Sequence, residues 1–274
     1  MNWLQSLLYG LISGAAEFLP VSAEAHRGLL RILFGVEASP LLELTIHIAV
    51  LLALVLACWP QIVRLQRERH LASIPVKRRR RQPDADTLKN WRWIKTAAVP
   101  MLLTFLVCPL VRKASGSLGL MALLLTVNGI LLYIPPYVPQ GNKSAATVSG
   151  LDGFLTGLCG GLGVLPGVSR ITGLTSAGML RGCDRRYILD VALLLSLPAL
   201  LVLILLDVFL VITAGAAITG SVLLGCLVAL AAAFPTAYLS IIFLRFLAVK
   251  VGFSGFAYYS WGAAMFAFIL YLTI

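Results

Sequence analysis

Glu17, Ser22 and His26 stand close together in GLISGAAEFLPVSAEAH, and Ser169 and Arg170 end GLCGGLGVLPGVSR, within long apolar stretches. A carboxylate, an imidazole and a guanidinium are the parts of an acid–base centre that handles an anion. Imidazole serves at neutral pH as base, acid or nucleophile, although His26 also fits as a polar residue at an interface. A carboxylate at membrane depth is costly enough to mark Glu17 as a functional candidate, unless it caps a hairpin tip near water. Arg170 offers a planar fork of donors suited to phosphate, and the glycines before it, Gly167 included, let backbone N–H groups approach an anion. An ion pair with Glu17 is the plainer reading of Arg170. Ser22 and Ser169 suit hydrogen-bond donation to an anion and helix N-capping equally. Gly167-Val168-Ser169-Arg170-Ile171 lacks the final glycine and the preceding strand of a serine-hydrolase elbow.

The elements that carry these residues look alike. In Gly10–Ser22 and, 147 positions later, Gly157–Ser169, the residues Gly10, Leu11, Gly14, Val21 and Ser22 recur as Gly157, Leu158, Gly161, Val168 and Ser169. Each copy is a small-residue helix pattern that runs into a proline. Proline in an apolar stretch frees backbone groups that lipid cannot satisfy, so such breaks face protein or a water-filled cavity. Paired broken helices in two halves of a membrane chain point to a buried site between inverted repeats.

Hydrophobic residues make up 59% of the 274 and charged residues 12%, with a mean hydropathy of +0.94. This balance predicts an all-α polytopic membrane protein. The pattern predicts six transmembrane helices, at about 41–60, 97–111, 118–135, 187–206, 217–243 and 253–273, plus two re-entrant helical hairpins at 1–28 and 152–178. Residues 1–135 then form one inverted repeat and 152–274 the other, joined by a loop at 136–151. With three crossings per half, the two copies point opposite ways and their hairpins meet near mid-membrane. Residues 1–25 end in Ala23-Glu24-Ala25 like a cleavage site, but no Lys or Arg precedes the apolar stretch and Glu17 interrupts it, so no cleaved signal peptide is expected.

The net charge of +11 does not imply nucleic acid, because the loops at 61–96, 136–151, 181–186 and 244–252 hold seventeen of the 22 Lys and Arg. That side is expected to be cytoplasmic, with both termini outside. The five cysteines show no CxxC spacing and suggest neither zinc nor disulfides. Glu43 and His47 share a helical face at the start of a span, either supporting the site or as a surface pair. Tyr187, Asp190 and Asp207 fall near span ends, where interfacial roles are expected, and Tyr258, Tyr259 and Trp261 read as interface anchors.

Glu17-Phe18-Leu19-Pro20-Val21-Ser22 followed by His26, Trp59 at the end of the next span, Pro166-Gly167-Val168-Ser169-Arg170, Gly178-Met179-Leu180 and Pro198 extend along nearly the whole chain. In these motifs and their order the sequence resembles the undecaprenyl-pyrophosphate phosphatases, the bacitracin-resistance type of integral membrane phosphatase that recycles the lipid carrier of bacterial cell-wall (peptidoglycan) synthesis. The resemblance implies hydrolysis of a polyprenyl diphosphate lipid at the outer face of the bacterial inner (plasma) membrane. It implies His26, Glu17 and Ser169 as catalytic residues, and Arg170, Ser22, Gly167, Thr172 and Thr175 as substrate-binding residues. It also implies a divalent cation, Mg²⁺ or Ca²⁺, with Glu17 as its ligand. Partners are the lipid substrate and the bilayer, not nucleic acid, and a homodimer is left open. Ser13, Ala23 and Leu174 depart from the family pattern, and Glu24 is the acid that could compensate for Ser13. A second reading keeps the same anion pocket but moves a polyprenyl phosphate across the membrane without cleaving it; Ser13 and Leu174 favour it, whereas His26 near Glu17 favours hydrolysis.

Overall fold

The computed structural model describes residues 1–105, 117–214 and 219–274. Cys108, Pro109 and the end of the expected 97–111 span lie outside the described residues, as do the first residues of the 217–243 span. Ten α-helices are described: α1 (Trp3–Phe18), α2 (Ala23–Phe34), α3 (Pro40–Ser73), α4 (Ala85–Thr104), α5 (Leu118–Tyr133), α6 (Gly150–Gly161), α7 (Arg170–Leu180), α8 (Arg185–Ala214), α9 (Gly220–Lys250) and α10 (Gly255–Thr273). No strand occurs among the described residues. Five helices are long and apolar enough to cross a membrane: α3, α5 with its short extension to Tyr137, α8, α9 and α10. The chain is an all-α polytopic membrane protein. The remaining expected span, 97–111, begins inside α4.

Three helices, α3, α8 and α9, overrun their expected ends. The stretches read as loops at 61–96 and 244–252 are largely helical, because α3 continues to Ser73 and α9 to Lys250. Gln61 to Ser73 contains good helix formers and no glycine or proline, so nothing stops α3 when it leaves the apolar stretch. Pro60 is absorbed within α3. The true connection is 74–84, where Asp84 caps α4 and its carboxylate takes hydrogen bonds from Thr87 and Arg64, each at 2.6 Å.

Each proline motif is a pair of short helices around a break. α1 and α2 flank Leu19–Ser22, and α6 and α7 flank 162–169. At 16, 12, 12 and 11 residues, none of these arms reaches the roughly 20 residues that a hydrocarbon crossing needs. The glycines set their packing. A Cβ on Gly10 would stand 2.5 Å from the Ala229 carbonyl oxygen, and one on Gly14 would strike Ala233 and Thr236, all on α9. The matching Gly157 and Gly161 press in the same way on Ala97 and Thr104 of α4. α1 therefore rides on α9 as α6 rides on α4, over an alanine and a threonine seven residues further on in both cases. α5 packs on α10, and α3 on α8 and α9.

Candidate active site

The two breaks satisfy each other's backbone. Pro20 ends the apolar run of α1, and the chain turns at Ser22, whose φ of 67° is the only positive value at a non-glycine among the described residues. Such a backbone costs about 1–3 kcal/mol and persists only where neighbours enforce it. Here the Ser22 hydroxyl oxygen accepts from Ala25 N at 3.4 Å and, across the molecule, from Gly167 N at 3.0 Å. Gly167 has a φ of 133° and is packed on Leu124 and Leu125 of α5, so only glycine fits. The Pro20 carbonyl, freed by the break, accepts from Asn128 Nδ2 at 3.0 Å and Thr172 Oγ1 at 3.2 Å. Ser169 N donates to Asn128 Oδ1 at 2.8 Å, and its hydroxyl donates to the Leu19 carbonyl at 3.4 Å. Asn128, fully buried on α5, thus clamps one break to the other.

Beside the clamp runs a chain of buried and half-buried charges. Arg170 Nη2 donates to Glu17 Oε1 at 2.7 Å, and Arg170 Nε to the Ser196 hydroxyl at 3.2 Å. The other oxygen of Glu17 lies 3.5 Å from Arg27 Nη1. Arg27 also holds Glu24 at 3.0 Å, and Arg31 joins Glu24 to Glu43, at 3.2 Å each. The Tyr9 hydroxyl donates to Glu43. Side chains of Glu17, Arg27 and Arg170 are 5–7% exposed. A single ion pair so deeply buried does not repay its desolvation; the network, in which three carboxylates face three guanidiniums, makes the arrangement tenable. Of the five N–H bonds of a guanidinium, Arg170 uses one on Glu17 and one on Ser196.

The structure brings together Glu17, Arg170, Ser22, Gly167, Ser169 and Thr172. It does not bring His26 into contact with Glu17 or Arg170. On α2, Glu24, Arg27 and Arg31 share one face, and at about 100° per residue His26 points to the opposite one. Its Nδ1 bonds the Ser22 carbonyl at 2.8 Å, and its Nε2 the Tyr259 hydroxyl at 2.7 Å, with the two rings stacked. Through Ser22 the imidazole adjoins the breaks, while its outer edge lines an apolar groove of about 390 Å³ with Ile12, Leu29, Leu33, Tyr259 and Phe266. Thr172 and Thr175 give their hydroxyl protons to the Pro20 and Ile171 carbonyls and have none left for a phosphate. Glu24 is held by Arg27 and Arg31.

Sequence reasoning missed Arg27, Arg31 and Asn128, gave Tyr259 and Asp207 only interfacial roles, and did not pair His47 with Asp207, whose Oδ2 meets Nδ1 at 2.5 Å with both side chains at most 2% exposed. Arg27 and Arg31 carried a readable signal: three and seven positions after Glu24, they share its helical face. Asp207 sits 160 residues from His47 and carried none. Three polar atoms near Glu17 are buried without a hydrogen-bond partner: Ser13 Oγ, His47 Nε2 and Arg27 Nη1, the last with only its 3.5 Å ion pair to Glu17. Each such atom costs roughly 1–3 kcal/mol unless something binds it.

The donor set does not suit a resident divalent cation. Among the described residues no three His, Cys, Asp or Glu side chains gather around a common point, and Glu17, Glu24 and Glu43 are each bonded to guanidinium. Arginine already supplies the positive charge that a hard cation would bring to these oxygens.

Residues 6–266 match the family model described as bacitracin resistance protein BacA. Similar proteins named undecaprenyl-diphosphatase include one from Carboxydothermus hydrogenoformans, 27% identical over 95% of this chain and 94% of its own length. Another, from Methanobrevibacter smithii, is 27% identical over 100% and 99%. A third, from Paenarthrobacter aurescens, is 29% identical over 73% and 72%. With the model matched from α1 into α10 and the two proline breaks inside it, this chain belongs to the bacitracin resistance protein BacA family.

Proposed function

We propose that this chain is a membrane phosphatase that hydrolyses a polyprenyl diphosphate, of the undecaprenyl type that its relatives' names specify, to the monophosphate and inorganic phosphate. The observation that carries the proposal is the 2.7 Å pair between Glu17 and Arg170, which joins the two proline breaks beside hydroxyl and backbone groups already turned inward. The terminal phosphate takes the remaining donors of Arg170 and the proton of Ser22, whose oxygen is held by two backbone N–H groups. The weakly held Ser169 hydroxyl turns from Leu19 to the phosphate. Glu17, kept between Arg27 and Arg170, orients the guanidinium and balances its charge when the site is empty. His26 stands where the groove meets the breaks, and the groove takes the first isoprene units. In the reaction the anhydride P–O bond breaks and an oxygen from water joins the terminal phosphorus. Positive groups fixed before charge develops are the main source of rate in such a transfer.

The two pairs of short helices are read as re-entrant hairpins, in repeats 1–135 and 152–274 of opposite orientation. The reciprocal seating of α1 on α9 and α6 on α4 supports this. The excess of Lys and Arg on the side of residues 74–84 supports a cytoplasmic location for that side, with the first hairpin open to the outer face of the plasma membrane.

Phosphate release from a C15 or C55 prenyl diphosphate by the purified protein in detergent tests the proposal. Arg170→Ala is expected to lower kcat/KM by at least 100-fold, and Arg170→Lys, which loses the fork, by at least tenfold. Unchanged release in Arg170→Ala contradicts it, and binding of the lipid without release points to transport.

A further inference from the structure

The hydrolysis proposed above needs a group that takes the proton of the attacking water, and His26 spends both ring nitrogens elsewhere. We infer that His47 is this general base, oriented by Asp207 and acting through its unpartnered Nε2; the inference rests on the phosphatase reading.

Three observations lead there. First, His47 Nδ1 lies 2.5 Å from Asp207 Oδ2, a bond that needs a proton on Nδ1, and in the neutral imidazole Nε2 then presents its lone pair. An imidazole aligned by a buried carboxylate, with the second nitrogen unengaged, is the arrangement that accepts a proton during a reaction. Second, Nε2 is buried and without a partner, and so is the hydroxyl of Ser13, one turn before Glu17 on α1. An acceptor and a donor are thus left unsatisfied on two helices that pack together. Third, both belong to the charged cluster. His47 lies one turn beyond Glu43, which is 3.6 Å from Arg27, and it is within electrostatic reach of Glu17, the partner of Arg170. A histidine kept only for packing would be expected to satisfy both nitrogens in so polar a neighbourhood.

The oxygen of water bonds to the terminal phosphorus while its proton moves to His47 Nε2. The bond from that phosphorus to the bridging oxygen breaks, and the electron pair leaves on the prenyl monophosphate. The proton then passes from His47 to the released phosphate. Around His47 the charged groups are Glu17 on α1, Arg27 on α2, Glu43 on α3, Arg170 on α7 and Asp207 on α8. Of the other helices packed on α3, α9 carries only Arg245, bonded to the Ala57 carbonyl, and Lys250, while the charges of α4 all precede Ala97.

His47→Gln and Asp207→Asn, both near-isosteric, test the inference against the wild type with a C15 prenyl diphosphate. Folding is checked by gel filtration and by lipid binding. For His47→Gln the expected result is a kcat lowered at least 100-fold with KM within threefold, and residual activity that lacks the acid limb of the wild-type pH profile. Asp207→Asn, which leaves the imidazole in place, is expected to lose at least tenfold in kcat, and it carries the test alone if His47→Gln does not fold. A kcat within threefold of wild type in either folded variant overturns the inference, as does an effect confined to KM. These results leave the phosphatase reading standing; no phosphate release by the wild type overturns both.

Discussion

At the residue scale, the identity of the central pair was written in the sequence and its setting was not. A carboxylate and a guanidinium in apolar stretches each require a partner, and Glu17 and Arg170 are partners. The roles of Thr172 and Thr175 were illegible because a hydroxyl's proton can go to a substrate or to a freed carbonyl, and only the fold shows that Pro20 and Ile171 take them. Tyr259, read as an interface anchor, stacks on His26 from 233 positions away, a distance that leaves no trace in local spacing. Glu17→Gln should weaken catalysis less than Arg170→Ala does, about tenfold against at least 100-fold, because it removes the orienting charge and keeps the phosphate-binding one. Steady-state kinetics on the two variants check the order. Since the carboxylates near the site are already bonded to arginine, EDTA should lower turnover less than threefold; complete loss restored by Mg²⁺ would contradict the charge assignment made here.

At the element scale, the five helices long and apolar enough to cross a membrane and both breaks followed from apolar length and proline, whereas helix ends did not. α3 and α9 run on past the apolar stretch because their polar continuations are good helix formers, and apolar length alone is blind to that. The glycine spacing of the motifs was legible as a pattern, but its purpose is tertiary: a face that admits another helix's backbone. Gly10→Ala should therefore destabilise by about 1–3 kcal/mol, since overpacking against the Ala229 carbonyl outweighs the helix propensity gained. Gly262→Ala, with open space around the new methyl, should be neutral or gain up to about 1 kcal/mol. Thermal unfolding in detergent separates the two signs. On the polar side, hydrogen bonds from Thr87 and Arg64 hold Asp84 down to about 2. A depressed carboxylate stabilises above its unfolded value and loses that contribution as pH falls towards 2, so Asp84→Asn should lower the unfolding midpoint at pH 7 and make little difference at pH 2.

At the scale of the whole molecule, two halves with matching broken helices build one site, each supplying a member of the central ion pair. The repeat was visible because glycine and proline are punctuation that any apolar sequence shows. What it encloses was hidden, because the buried clamp on Asn128 and the His47–Asp207 pair depend on how the halves meet. Orientation has its own check. In a cysteine-free background, a cysteine at Arg80 should react with a membrane-impermeant maleimide only from the cytoplasmic side, and one at the exposed Glu37 only from outside. The most direct test of the account follows a C15 prenyl diphosphate by ³¹P NMR in the presence of the purified protein. Loss of both diphosphate resonances, with equal growth of prenyl monophosphate and inorganic phosphate that Arg170→Ala abolishes, is the predicted result; a diphosphate that stays intact while bound to folded wild-type protein would contradict it.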